Sequence, residues 1–233
     1  MKLRQKSLFA RLVLEFVQAS LAFIILLVCT PVALILPLSR LDPPTTSLQT
    51  QRRFESWIDL RAYDKDMRWV PLREISPRLR RAVIVAEDGW FYRHPGVDIE
   101  AAEKAYEESR NGKKMRGAST ITMQLCKNLY LWEGWTIYDT AFRKGVEVYL
   151  ALWMNQLLSK ERVLELYLNV IEWGDGIYGA EAAAQRYYRV AARNVSASQA
   201  AHLVASLPAP IRHTPIDQSL FVERRAARIL GRM

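Results

Sequence analysis

At 233 residues, half of them hydrophobic, 10% aromatic and 24% charged, the chain is long and apolar enough for a sizeable core, and disorder is excluded. With 33 Lys and Arg against 24 Asp and Glu the formal charge is +9, which favours an anionic partner: nucleic acid, anionic lipid or a phosphorylated substrate. Two cysteines and 3 histidines exclude a disulfide scaffold and a cysteine-based zinc module, and no repeat or low-complexity pattern occurs.

Residues 16–38 (FVQASLAFIILLVCTPVALILPL) carry no charge. As a helix they span about 35 Å, enough for a hydrocarbon core of about 30 Å. A signal peptide has a shorter apolar stretch and a small-residue cleavage site, which is missing before Arg40, so the segment is expected to stay as a transmembrane helix. Pro31 and Pro37 are tolerated in such a helix. Lys2, Arg4, Lys6 and Arg11 precede it against Glu15, so residues 1–15 form a basic cytoplasmic tail and the rest is expected outside, in the periplasm. That placement removes nucleic acid as a partner, and it makes a disulfide between Cys29 in the anchor and Cys126 far beyond it implausible.

After the anchor, residues 39–64 are expected as a polar stalk that includes Pro43-Pro44, and residues 65–233 as one domain. Residues 69–79 read as an extended lead-in, with Ser76-Pro77 suited to start a helix over 78–88. The polar run 103–116 is expected as a mobile flap. Helices follow over 118–130 and 138–158, and over 160–171 with Ser159 as cap and Val163, Leu164, Tyr167, Leu168 and Ile171 as core stripe. The Gly-rich loop 174–179 leads into an Ala-rich helix over 180–188. Ser196 or Ser198 caps a helix that stops by Pro208, and a last helix begins near Ser219. No strand series is expected after residue 80.

Three constellations carry chemistry. Glu87-Asp88 ends an apolar run and is followed by Phe91, His94 and Asp98 around a Gly turn; a half-buried glutamate there suits a general base, whereas a plain helix end would be a solvated pair. Gly117-Ala118-Ser119-Thr120 opens a helix whose N–H groups and hydroxyls suit an anion, with Arg116 before it and Thr120, Gln124 and Lys127 along one stripe. It lacks the Gly-Lys-Ser/Thr of a Walker loop. Arg143 and Glu147, at i and i+4, share a helix face with Lys144 adjacent, as a structural ion pair or as part of a site.

Together these motifs resemble the glycosyltransferase family 51 domain, the peptidoglycan glycosyltransferases found in bifunctional penicillin-binding proteins and in monofunctional biosynthetic transglycosylases. The resemblance rests on Glu-Asp-x-x-Phe-x-x-His-x-Gly-x-Asp at 87–98, Gly-Ala-Ser-Thr-Ile-Thr-x-Gln-Leu-x-Lys-Asn-Leu at 117–129 and Arg-Lys-x-x-Glu at 143–147. It continues through SKERVLELYLN at 159–169, the turn at 176–183 with Tyr187-Tyr188, and Leu207-Pro208-Ala209-Pro210. Met123 departs from it, standing where the family usually has the first of two glutamines.

The resemblance implies a mainly α, lysozyme-like helical domain with a small flexible jaw, behind one transmembrane helix of the bacterial inner membrane. It implies polymerisation of lipid II into β-1,4 glycan strands, with the growing lipid-linked glycan, the membrane and other cell wall synthesis proteins as partners. Glu87 is implied as the base and Glu147 as its donor-side assistant. Lys127, Arg143, Lys144 and Arg116 are implied for the pyrophosphate, and Ser119, Thr120 and Gln124 for the donor. Asp88, Phe91 and His94 brace the site. No cofactor is implied, and divalent-cation dependence is not legible. Two rival readings share the residues: a membrane-anchored lysozyme-like hydrolase, and a non-enzymatic envelope scaffold. No Ser-x-x-Lys or Lys-Thr-Gly of a transpeptidase occurs.

Overall fold

The computed structural model describes residues 2–112, 117–132 and 137–233, with side chains from 11 to 112, 117 to 132 and 140 to 233. Arg116 and the end of the expected flap therefore lie outside the described residues. The chain is mainly helical. Helix α1 (Lys2–Ile35) and the turn over residues 36–39 that follows it make up the one stretch, Arg11–Ser39, that is long and apolar enough among the described residues to cross a membrane. Its far end is not a free tether. Ile35 and Leu38 are buried in the main core, Arg162 donates to the carbonyls of Leu38 and Leu41, and the Tyr130 hydroxyl donates to that of Leu34.

The expected stalk folds onto the domain. Thr46 and Gln49 form a reciprocal capping box that starts α2 (Ser47–Ile58), and Arg52 pairs with the buried Glu172 at 3.1 Å. Burial pushes the Glu172 carboxyl up, opposed in part by Arg52. The polar run after Gly96 also differs from its expectation. Asp98 accepts from the Ala101 N–H and caps α4 (Ile99–Arg110), a helix that buries only Ala105 among its apolar side chains and so shows no stripe in the sequence.

The remaining helices fall close to expectation: α3 (Pro77–Glu87), α5 (Ile121–Tyr130), α6 (Ile137–Leu157), α7 (Lys160–Val170), α8 (Ala180–Tyr188), α9 (Ala197–Ser206) and α10 (Leu220–Leu230). Ser76, Ser159, Ser196 and Ser219 cap α3, α7, α9 and α10. A small sheet was not expected. Strands β1 (Asp66–Met67), β2 (Glu172–Gly174) and β3 (Ile177–Tyr178) take the order β1-β3-β2, with β3 parallel to β1 and antiparallel to β2. Gly176, at φ 72°, makes the turn possible: a Cβ there would stand 2.2 Å from the Asp64 carbonyl.

Helix α7 explains why SKERVLELYLN holds the fold together. Its Val163, Leu164, Leu166 and Leu168 are buried, while its polar side chains fasten the lead-in. The Glu165 carboxylate accepts from the Leu72 N–H at 2.6 Å, and the fully buried Asn169 side chain bonds both the N–H and the carbonyl of Val70. That lead-in delivers the chain to Ser76 and hence to α3, whose last residue is Glu87.

Candidate active site

Leu79, Ala82 and Val83 bury the inner face of α3 and leave Glu87 half-buried at its end. Its carboxylate accepts from Gln124 Nε2 at 3.1 Å and from Arg225 Nη2 at 2.7 Å. The Tyr167 hydroxyl donates to Gln124 Oε1 at 2.9 Å, which turns the amide NH2 of Gln124 toward Glu87. Burial, then the negative charges of Glu87 and Asp88, push the Tyr167 phenol well above its ordinary range, so it stays a donor. Helices α3, α5, α7 and α10 thus meet at one carboxylate.

Asp88 is buried and spent on the scaffold. Its oxygens accept from His94 Nε2 at 2.8 and 3.0 Å and from the Ile121 N–H at 3.0 Å. His94 Nδ1 accepts from the Gly96 N–H, which assigns the ring proton to Nε2. Thr120 donates to the Gly96 carbonyl at 2.6 Å and accepts from the Met123 N–H. The N-terminus of α5, expected to face an anionic ligand, is therefore already filled by the Asp88 carboxylate and the Thr120 cap. Phe91 is buried beside His94, and the Lys160 ammonium stands 4.7 Å from its ring centre while donating to the His94 carbonyl. Burial lowers the Lys160 amine, opposed by Asp88.

The second carboxylate, Glu147, is 3% exposed on α6. Its near partner is Lys144 Nζ at 2.6 Å, which also donates to Ser119 Oγ at 2.8 Å. Arg143 Nε stands off at 3.5 Å and has no hydrogen-bond acceptor among the described residues. The expected Arg143–Glu147 face is thus built mainly by Lys144. Lys127 lies one turn beyond Gln124 on the half-buried side of α5. Met123 is buried in the core, so an apolar residue suits that position. Both carboxylates are bound to α5 or its lead-in, one through Gln124 and one through Lys144 and Ser119.

Arg225 was missed in the sequence, where it reads as one more cation on a basic last helix, 138 positions from Glu87. Among the described residues no cluster of three metal-ligating side chains occurs.

A family model described as Transglycosylase matches residues 55–233. The chain belongs to the transglycosylase family. It is 41% identical over 209 residues to the biosynthetic peptidoglycan transglycosylase of Caulobacter vibrioides, covering 90% of this chain and 87% of that one. It is 42% identical over 202 residues to the protein of the same name from Pseudomonas syringae pv. syringae, covering 87% and 84%. The helical architecture is consistent with the lysozyme-like class that the sequence motifs implied.

Proposed function

We propose that this transglycosylase polymerises lipid II by inverting glycosyl transfer, with Glu87 as the base. The observation that carries this is the half-buried Glu87 carboxylate, held by Gln124 and ion-paired with Arg225. An ion-paired carboxylate suits a proton acceptor, whereas a hydrolase acting on a sugar–sugar bond needs a carboxylic acid donor. In the step, the acceptor 4-hydroxyl gives its proton to Glu87 while its oxygen bonds the donor anomeric carbon from the face opposite the leaving group. The anomeric C–O bond breaks, and undecaprenyl pyrophosphate leaves with the electron pair.

Pyrophosphate needs charge neutralisation more than a proton. Lys144, Arg143 and Lys127 supply it, and Glu147 holds the Lys144 ammonium toward Ser119. Arg116 joins this group by resemblance alone. Gln124 places the donor, while Thr120, whose hydroxyl is taken up by Gly96 and Met123, joins Asp88, Phe91 and His94 in bracing the loop; no cofactor is required. Helix α1 crosses the inner membrane with its N-terminus in the cytoplasm, which puts the base in the periplasm beside a lipid-borne substrate, among other cell wall synthesis proteins.

The test is glycan formation from labelled lipid II by wild type and Glu87→Gln, with melting curves for both. Polymerisation should fall by about 10²–10⁴-fold with Tm nearly unchanged. A folded Glu87→Gln protein with normal polymerisation would remove Glu87 as the base.

A further inference from the structure

Helix α10 and the turn after it set three arginines against the end of α3. Arg225, Arg228 and Arg232 line a cavity of about 370 Å³ together with Ala86, the residue before Glu87. Arg232 Nη2 would stand 3.8 Å from a Cβ on Gly89, so the arginines bracket Glu87-Asp88 from both sides in sequence. Among the described residues the one carboxylate paired with them is Glu87, through Arg225. Arg225 Nε is buried with no acceptor among the described residues, and Arg228 Nε reaches only the Arg224 carbonyl, at 3.3 Å. With one of the three guanidinium groups paired to Glu87, the cavity beside the base keeps an excess positive charge, and planar guanidinium forks fit carboxylates two bonds at a time.

We propose that this cavity is a carboxylate subsite for the peptide stem of the acceptor saccharide. The proposal rests on the lipid II reading above. Position favours the stem over a pyrophosphate. Helix α10 packs on α9 and α3, whereas the end of the anchor is held by α7 and Tyr130, and the Lys144 group that suits the leaving pyrophosphate stands on α6. The donor's anomeric carbon belongs on the Lys144 side of Glu87, and the acceptor hydroxyl on the Arg225 side. The stem nearest the arginines is then the acceptor's.

The experiment uses the full chain carrying Arg228→Gln and Arg232→Gln together, both exposed positions outside the catalytic group. Steady-state polymerisation is measured with lipid II bearing free stem carboxylates and with lipid II whose stem carboxylates are amidated. Wild type should show a KM about tenfold higher for the amidated substrate, the size of one lost charge-assisted contact. The double variant should show that higher KM for both, with kcat within about twofold and Tm unchanged; either single exchange serves if the double lowers Tm. A donor-only lipid II with its 4-hydroxyl blocked should be used equally well amidated or not. Sensitivity confined to that donor would move the subsite to the donor stem and overturn the proposal. So would weaker inhibition of the variant by inorganic pyrophosphate with no effect of amidation, or a variant indistinguishable from wild type. Wild type inert toward lipid II would overturn the functional reading as well, whereas an active wild type blind to amidation would overturn this inference alone.

Discussion

Lys144→Ala would leave the Glu147 carboxylate, 3% exposed, without its 2.6 Å donor. Truncating one partner of a buried charge pair costs about 2–5 kcal/mol, and the lower end applies because the Lys144 side chain is itself 43% exposed. Arg143→Ala should behave differently. Arg143 stands 3.5 Å off and makes no hydrogen bond to Glu147, so its loss should change stability by less than about 1 kcal/mol while slowing polymerisation at least tenfold. Melting curves beside lipid II turnover separate the two; equal Tm losses would show that Arg143 is structural after all. Adding Glu147→Gln to Lys144→Ala should restore Tm without restoring turnover. Spacing in the sequence paired Arg143 with Glu147 and left Lys144 beside them, because i,i+3 and i,i+4 neighbours are equally close until rotamers are known. Arg225 was not legible for a related reason: a cation on an amphipathic helix carries no sign of which distant carboxylate it meets.

At the scale of elements, helices with an apolar stripe were legible to within a few residues, and those without one were not. Helix α4 exposes most of its side chains, so its polarity read as a loop although Asp98 stands at its start as a cap. Helix α2 carried a signature in Thr46 and Gln49, which the neighbouring Pro43-Pro44 pair and the polar composition outweighed. Helix α5 was legible, but what its N-terminus faces was not, because Asp88 arrives from another element. Thr120→Val should therefore act on two elements at once. It removes the cap on the Met123 N–H and the tie to the Gly96 carbonyl, at a cost of about 1–2 kcal/mol. With the loop after Glu87 freed, kcat for polymerisation should drop as well. Thr120→Ser keeps the hydroxyl and should recover both Tm and kcat; a serine variant as impaired as the valine would show that the two hydroxyl bonds are not what the position contributes.

For the whole molecule, the anchor and the domain are not separable at the point where the charge pattern suggests. Hydropathy runs unbroken from Phe16 to Leu38, yet its last residues change role: Ile35 and Leu38 sit in the domain core, and Arg162 on α7 bonds the carbonyls of Leu38 and Leu41. An uncharged run looks the same whether its neighbours are lipid or protein, so periodicity could not find this boundary. Two deletions should reveal it. Removing residues 1–26 takes away side chains that are almost all exposed and keeps the Leu27 carbonyl that accepts from Tyr149, and Tm should stay within a few degrees of the full chain in detergent. Removing residues 1–42 exposes the cavity left by Ile35 and Leu38, about 3–6 kcal/mol at roughly 1.5–3 kcal/mol per buried side chain, and leaves Arg162 without its carbonyl acceptors. That protein should melt far lower or fail to fold. The shorter deletion should still polymerise lipid II in detergent micelles but lose rate on vesicles, where the anchor keeps enzyme and substrate on one surface. Equal stability of the two truncations would show that the end of α1 contributes nothing to the core, and the anchor would then be a tether that begins at the membrane and ends there.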